Sequence, residues 1–157
     1  MFAEYGSGMV TEVYLGLGSN LGDRRRNILE AVEKLDGFFG TGHSAMSSLM
    51  ETEPWGFESE DWFLNAAVRY DADIPCGTDM KVFCHSLLDC CKAIEAEMGR
   101  TGSPEYGPDG RRIYRSRTID IDILTVGDVR MSDERLTIPH PLMYERDFVM
   151  VPLSEIM

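Results

Sequence analysis

The sequence has few lysines and little positive charge overall. Twelve of its 15 basic residues are arginines, and 27 acidic residues bring the formal net charge to −12 over 157 residues. Because general affinity for nucleic acid or for an anionic membrane requires a positive field, this balance argues against both kinds of partner. It leaves room for one local basic site, to which arginine is suited because its planar guanidinium holds phosphate in a bidentate manner.

Long hydrophobic runs are also missing from the sequence. No segment approaches the roughly 20 consecutive apolar residues that span a bilayer, and residues 1–8 lack the pattern of a signal peptide. We therefore expect a cytoplasmic protein. The length suits a single domain over residues 1–157, with residues 1–9 as a flexible N-terminal extension, and we expect a monomer.

Cysteine is scarce and confined to one stretch. Cys76, Cys84, Cys90 and Cys91 show no Cys-x-x-Cys spacing, so a zinc site is not expected from them. Cys84 and Cys91 lie seven residues apart on a predicted helix. We interpret both as small apolar residues of the core.

The hydrophobic pattern predicts an α+β fold. Strands are predicted at 10–17, 43–49, 62–70 and 119–124, with one amphipathic helix after the first strand and another before the last. This order is typical of a ferredoxin-like sandwich, in which helices pack on one face of a mainly antiparallel sheet.

The first predicted helix follows a glycine turn at 16–22 and is capped by Asp23. Its apolar face consists of Ile28, Val32 and Leu35. Arg24, Arg25 and Arg26 occupy the first turn, where the helix dipole disfavours cations, so a solvated face is favoured over a contribution to anion binding. The glycine spacing fits neither a dinucleotide fingerprint nor a phosphate-binding loop, which leaves a simple turn or a close approach to a ligand.

The second predicted helix begins after Thr78, which can cap it. Its apolar side chains recur at helical spacing, and they are Met80, Phe83, Leu87, Cys91, Ile94 and Met98.

Asp120 and Asp122 form the most informative pair of polar residues. Alternate residues of a strand point to opposite sides, so both carboxylates are predicted to face one surface while the neighbouring isoleucines face the core. Two adjacent carboxylates repel each other unless a cation lies between them, and Mg²⁺ is commonly held by one or two carboxylates and substrate phosphates. The alternative is a solvated acidic edge.

An arginine-rich loop precedes this pair. Residues 100–117 carry five arginines and two acids, a local charge of +3, against −15 for the rest of the chain. Arginines beside paired aspartates suit a metal-bound polyphosphate. A flexible, solvated loop is the alternative.

Aromatic and imidazole side chains complete the set of candidates. Trp55, Phe57, Trp62 and Phe63 lie close in sequence to Asn65, a combination that suits a flat heterocycle or, alternatively, a core strand with a decorated loop. Further along, His140 stands between two prolines and Arg146 lies two residues before Phe148, which favours phosphate binding as much as a structural role.

These motifs, in this order, resemble the 6-hydroxymethyl-7,8-dihydropterin pyrophosphokinases of folate biosynthesis. The resemblance covers residues 13–156, and the segments that carry it are 16–23, 52–56, 63–66, 95–100, 117–122, 138–141 and 146–148. Members of this family transfer the pyrophosphoryl group of ATP to the pterin hydroxymethyl oxygen and release AMP. The resemblance therefore implies an enzyme with ATP and 6-hydroxymethyl-7,8-dihydropterin as substrates.

The resemblance also assigns residues to roles. Asp120 and Asp122 would hold two Mg²⁺ ions along the ATP phosphates, and Arg100 and Arg117 would assist the transfer. The implied pterin pocket consists of Thr52, Glu53, Trp55, Phe63, Asn65 and Phe148. The implied ATP contacts are the side chains of Glu95, Arg100, Arg117, His140 and Arg146, together with backbone groups of Leu136, Thr137 and Ile138 for the adenine. Phe63 replaces the usual tyrosine of the family, which preserves stacking but removes a hydroxyl.

A competing interpretation is a ferredoxin-like module that binds a nucleotide as a regulatory ligand. Such a module would not need both a metal pair and a second heterocycle pocket. No residue stands out as a general base, and Asp120 is the first candidate.

Overall fold

The fold is described by a computed structural model for residues 9–53, 62–99, 105–106, 108–110, 112–113 and 118–157. Three α-helices lie in these ranges: α1 (Arg24–Phe39), α2 (Met80–Glu97) and α3 (Asp147–Ser154). The strands in these ranges are β1 (Met9–Ser19), β2 (Ala45–Met46), β3 (Met50–Thr52), β4 (Phe63–Ile74), β5 (Glu105–Tyr106), β6 (Arg112–Ile113), β7 (Asp120–Val126), β8 (Met131–Ser132) and β9 (Thr137–Ile138).

The main sheet is antiparallel and is built around two long strands. Its order is β2-β4-β1-β7, and β3 also pairs with β4. β1 pairs with β4 over its whole length, from Met9 opposite Ile74 to Ser19 opposite Leu64. β8 and β9 form a separate short hairpin, as do β5 and β6. The predicted α+β fold with an antiparallel sheet is confirmed.

α1 and α2 pack on one face of this sheet. Ile28, Val32 and Leu35 are buried against it, as the sequence predicted. α1 begins at Arg24 because the Asp23 carboxylate accepts a hydrogen bond from the Arg26 N–H at 3.1 Å. Asp23 is therefore the cap that was expected.

α2 begins one residue later than expected, and the prediction that Thr78 caps it is wrong. The Asp79 carboxylate accepts from the N–H groups of Lys81 and Val82 at 2.9 and 3.3 Å, whereas the Thr78 hydroxyl donates to the Pro75 carbonyl at 2.6 Å. The predicted apolar face lies in or against the core. Cys84 and Cys91 are both buried there, and burial raises the pKa of the Cys84 thiol to about 11.

α3 packs on the opposite face, so the expectation of helices on one face only is wrong. Val149 and Leu153 lie against Tyr14, Ala67 and Leu124, whose side chains alternate with those that face α1 and α2. The apolar side chains of α3 must be removed from water, and they are buried against this second face of the sheet.

Within the predicted strand at 43–49 the structure has only β2, at Ala45–Met46, and β3 begins just beyond that range at Met50. The interruption is at Ser47, whose hydroxyl accepts a hydrogen bond from the Ala67 N–H at 2.8 Å in place of a backbone carbonyl. β1 starts at Met9, the last residue of the expected N-terminal extension, and residues 1–8 lie outside the described ranges. None of the helices in those ranges combines the length and apolar character that crossing a bilayer requires.

Candidate active site

The two aspartates lie at the start of β7 with both side chains half-buried. Ile119, Ile121 and Ile123 alternate with them and are buried against α1 and α2, so the predicted alternation is confirmed. Asp120 and Asp122 therefore face the same side of the sheet as α3.

Strand register brings the predicted pterin residues close to these aspartates. Gly18 of β1 lies between Asn65 of β4 and Asp120 of β7, and Gly16 lies between Ala67 and Asp122. Cross-strand partners share a face, and two strand spacings separate Asn65 from Asp120, a backbone distance of about 10 Å. The sheet thus holds an amide and a carboxylate on one face, on either side of a glycine.

Asn65 is buried, and two hydrogen bonds fix its amide. Its Nδ2 atom donates to the Met50 carbonyl at 3.2 Å and to the Thr52 hydroxyl at 2.7 Å. Because a carbonyl can only accept, these contacts determine which end of the amide is Nδ2. Oδ1 then points toward Gly18, and a Cβ atom added to that glycine would lie 3.1 Å from it. No donor from the described residues is hydrogen-bonded to Oδ1.

The other predicted pterin residues that the structure describes lie in or next to β3, β4 and α3. Thr52 pairs with Phe63 across β3 and β4, and Glu53 follows as an exposed residue. Phe148 is half-buried at the start of α3, with the Arg146 guanidinium carbon 5.5 Å from the centre of its ring. Trp55 lies outside the described residues.

A cleft of about 440 Å³ lies beside the aspartates, between α2, β7 and the β8–β9 hairpin. Of the residues predicted to contact ATP, it is lined by Glu95, Leu136, Thr137, His140 and Arg146. The side chain of Ile138, a residue predicted to contact ATP through its backbone, packs in the core at 2% exposure. Asp120 and Asp122 also line this cleft, so the structure brings most of the predicted nucleotide and metal residues together.

Glu95 lies at the floor of this cleft with 5% of its surface exposed. Its Oε2 atom accepts a hydrogen bond from the Ile121 N–H at 2.8 Å. This contact ties α2 to the middle of the aspartate-bearing strand, so Glu95 holds Asp120 and Asp122 in position relative to the helix.

His140 faces the second aspartate. Its backbone N–H donates to the Leu124 carbonyl at 2.9 Å, and its Nδ1 atom accepts from the Leu142 N–H at 3.2 Å. Nε2 lies 3.9 Å from Asp122 Oδ1. Burial, helped by the charge of Arg146, lowers the pKa of His140. The ring is therefore neutral at pH 7 and carries its proton on Nε2, which makes it a hydrogen-bond donor toward the cleft.

Arg100 and Arg117 lie outside the described residues, but their neighbours come together. A Cβ atom on Gly99 would lie 3.5 Å from the Thr118 hydroxyl. Gly99 and Thr118, which flank the arginine-rich segment, therefore lie close together, and Thr118 is two residues before Asp120. The roles assigned to the two arginines stay predictions.

Sequence reasoning missed two polar contacts near the site. Arg24 was expected on a solvated face, but it donates to the Trp62 carbonyl at 2.9 Å and pairs with Glu51 at 2.6 Å, which joins α1 to β3 and to the start of β4. Asp133 caps the turn of the β8–β9 hairpin and contacts His85 of α2. An aspartate after a short strand indicates such a turn, whereas no sequence signal points to the distant histidine.

The donor set at the sheet edge fits Mg²⁺. Within the described ranges, no three His, Cys, Asp or Glu side chains come together as a ready metal site. Mg²⁺ does not need one, because it is usually held by one or two carboxylates together with substrate phosphates and water. Asp120 and Asp122, half-buried at the mouth of a cleft of about 440 Å³, are the residues that could hold it.

Comparison with known proteins gives a consistent result. The sequence matches the family described as 7,8-dihydro-6-hydroxymethylpterin-pyrophosphokinase over residues 14–157. The 2-amino-4-hydroxy-6-hydroxymethyldihydropteridine pyrophosphokinase of Methylorubrum extorquens is 43% identical over 94% of this chain and 83% of its own length. Proteins of the same name from Porphyromonas gingivalis and Bacillus subtilis are 41% and 39% identical, over 92% and 91% of this chain and 89% and 76% of their own lengths. The chain therefore belongs to the hydroxymethyldihydropterin pyrophosphokinase family, whose members transfer the pyrophosphoryl group of ATP to the pterin in folate synthesis.

Proposed function

We propose that the cleft beside α2 binds ATP, that the Asn65 side of the sheet binds 6-hydroxymethyl-7,8-dihydropterin, and that the pyrophosphoryl group passes between them. The hydroxymethyl oxygen forms a bond to the β-phosphorus, the bond from this phosphorus to the α–β bridging oxygen breaks, and AMP leaves. The observation that supports this proposal is the register of Asn65, Gly18 and Asp120, because it sets the Asn65 amide and the first aspartate about 10 Å apart on one face of the sheet.

The pterin half-site offers both edge recognition and stacking. Asn65 Oδ1 is a fixed acceptor for the N–H groups of a pterin edge, because Thr52 and Met50 hold the other end of the amide. Phe63 and Phe148 provide aromatic faces for the flat ring, and the charge of Arg146 lies over one of them. We assign Thr52, Glu53 and Trp55 to the same pocket.

The nucleotide half-site offers donors for phosphate and backbone groups for adenine. His140 donates from Nε2, and Arg146, Arg100 and Arg117 supply positive charge for the phosphates. Backbone groups of Leu136, Thr137 and Ile138 are assigned to the base, and Glu95 braces the strand beneath them. Such an arrangement suits phosphoryl transfer, which depends on positioning and charge stabilisation more than on a strong base.

Asp120 and Asp122 would hold two Mg²⁺ ions together with the ATP phosphates. When bound, Mg²⁺ supplies positive charge that offsets the charge developing on the phosphate oxygens. The protein's own contribution is to present both carboxylates on one face of a strand that Glu95 and His140 fix by hydrogen bonds.

We also propose a ferredoxin-like topology. Two features support this assignment. The elements follow one another along the chain in the order β1, α1, β2 and β3, β4, α2 and β7, and β1 and β4 lie at the centre of the sheet. The single domain, the monomeric state and the cytoplasmic location stay predictions from the sequence.

A product assay with matched variants tests the assignment of the two half-sites. AMP release, followed by mass with the pterin present and absent, should depend on the pterin in the wild type. Asn65→Ala should raise the pterin KM and leave the ATP KM near its wild-type value, because the substitution removes an acceptor only from the pterin half-site. Asp73→Ala, at the exposed far end of the same strand, is the control. A pterin KM that is unchanged in a folded Asn65→Ala enzyme would refute the pterin assignment.

A further inference from the structure

Asp133 organises the turn that forms one wall of the nucleotide cleft. Its Oδ1 atom accepts hydrogen bonds from the N–H groups of Arg135 and Leu136, both at 2.9 Å, and its own N–H donates to the Leu136 carbonyl at 3.0 Å. These three contacts fix the backbone up to Leu136, immediately before Thr137 of β9. Asp133 therefore sets the conformation of the residues to which we assign the adenine.

The second carboxylate oxygen of Asp133 reaches across to α2. Oδ2 lies 2.8 Å from His85 Nε2 and 3.7 Å from the Lys81 ammonium group. The backbone N–H of Arg135 is the largest of several contacts that lower the pKa of Asp133 to about 2, so the carboxylate is ionised at pH 7 and His85 must donate from Nε2. A second ion pair, between Arg135 and Asp89, joins the same two elements.

These contacts connect the two walls of the cleft. One wall is α2, with Leu88, Cys91 and Lys92, and the other is the β8–β9 hairpin, with Leu136 and Thr137. The hairpin consists of strands of only two residues each, so its own backbone hydrogen bonds hold it weakly. The distance between the walls therefore depends on the contacts between side chains, of which the Asp133–His85 hydrogen bond is charge-assisted and only partly exposed.

We infer that Asp133 and His85 are positioning residues for ATP: they hold the hairpin against α2 so that the cleft has the width the nucleotide needs. This inference rests on the proposed function, because it requires ATP to occupy this cleft. The pterin half-site lies on the far side of the aspartate strand and shares no described contact with Asp133. Breaking the hydrogen bond should therefore affect one substrate and not the other.

The expected size of the effect follows from population arithmetic. Loss of the charge-assisted hydrogen bond lowers the fraction of molecules in which the hairpin is held against α2. The apparent Kd rises as the inverse of that fraction, by about tenfold. At saturating ATP the nucleotide restores the closed arrangement, so kcat should stay close to the wild-type value.

The test is a calorimetric measurement, in the presence of Mg²⁺, of the Kd of α,β-methylene-ATP. This analogue lacks the bridging oxygen at which ATP is cleaved. His85→Leu removes the donor, and Asp133→Asn removes the charge but keeps an acceptor for the turn. His85→Gln supplies a new N–H and should restore much of the affinity. Asp128→Asn, the same chemical change at an exposed residue of the preceding turn, is the matched control.

We expect His85→Leu and Asp133→Asn each to raise the nucleotide Kd about tenfold, with the pterin Kd and kcat unchanged. The double variant should be little worse than either single one, because the two residues act through one contact. An unchanged nucleotide Kd, or an equal loss of affinity for both substrates, would overturn the inference. His140→Ala separates this failure from failure of the proposed function. If it weakens nucleotide binding while His85→Leu does not, only the positioning role fails, and if neither variant weakens binding, ATP does not use this cleft.

Discussion

The substitution Gly18→Ala should leave the protein folded but weaken its binding of the pterin. A Cβ atom at this position would lie 3.1 Å from Asn65 Oδ1, which is tighter than an ordinary contact, and 3.5 Å from the Phe63 ring, which is an ordinary van der Waals distance, so the substitution should push on the amide. Asn65 cannot easily move aside, because its Nδ2 atom is bonded to Met50 and Thr52. The added methyl group therefore occupies the space toward which the amide oxygen points.

The change in the free energy of unfolding is the difference between two opposing effects. Overpacking at 3.1 Å costs about 1–3 kcal/mol, and replacing a strand glycine by alanine returns about 0.4–1 kcal/mol through the unfolded state. The free energy of unfolding should thus fall by between about 0 and about 2.6 kcal/mol. A displaced acceptor that leaves a pterin N–H unsatisfied costs about 1–3 kcal/mol of binding, which corresponds to a Kd about 5- to 150-fold higher.

Gly16→Ala is the matched control, because Gly16 lies two residues away on the same face of β1. A Cβ atom there would meet only the Leu124 side chain at 3.6 Å, an ordinary van der Waals distance. Steady-state kinetics with the pterin varied at saturating ATP, together with urea unfolding, separate binding from stability. A normal pterin KM in Gly18→Ala, or an equally raised one in Gly16→Ala, would show that the Gly18–Asn65 contact does not shape the pterin half-site.

Three further predictions concern the metal pair, a buried tyrosine and the histidine of the cleft. Asp120→Ala and Asp122→Ala should each lower AMP production by about 100-fold or more while circular dichroism stays unchanged, and near-normal turnover in either variant would contradict the metal assignment. Tyr70→Phe should cost about 2 kcal/mol in urea unfolding, because the buried hydroxyl donates to the Asp36 carboxylate at 2.6 Å. An unfolding midpoint equal to that of the wild type would show that this hydrogen bond contributes nothing. Burial lowers the pKa of His140 in the folded protein below its ordinary value of 6.5. As the pH falls below 6.5, His140 is therefore protonated in the unfolded chain before it is protonated in the folded protein, and the free energy of unfolding decreases until the pH reaches the pKa of the folded state. The loss of unfolding free energy between about pH 7.5 and about pH 5.5 should therefore be smaller in His140→Gln, and equal losses would contradict the lowered pKa.

Local patterns in the sequence predicted the elements more successfully than the contacts between them. Periodicity identified α1 and α2 and the faces that they bury, because a helix repeats its environment within a few residues. It did not distinguish Thr78 from Asp79 as a cap, since both types can accept the same N–H groups. The Asp133–His85 contact, between residues 48 apart, left no local trace. The packing of α3 on the second face of the sheet was not predicted either. It also depends on contacts between residues far apart in sequence, such as Val149 and Leu153 with Tyr14 and Ala67.

The bulge in β7 shows why strict alternation does not predict the face of every residue in this strand. Strict alternation would put Val126 on the same face as Asp122 and Asp120, yet Val126 is buried against α1 and α2 with Ile123. The register resolves the conflict, since Tyr14 pairs with Thr125 and Leu15 pairs with Ile123, which leaves Leu124 as an extra residue. This one inserted residue shifts the phase of the strand, because a slip of one position moves every following side chain to the other face. Leu124 itself packs under α3, and its carbonyl accepts the N–H of His140. The bulge therefore returns Val126 to the core under α1 and α2, while Leu124 packs under α3 and anchors the histidine that faces Asp122.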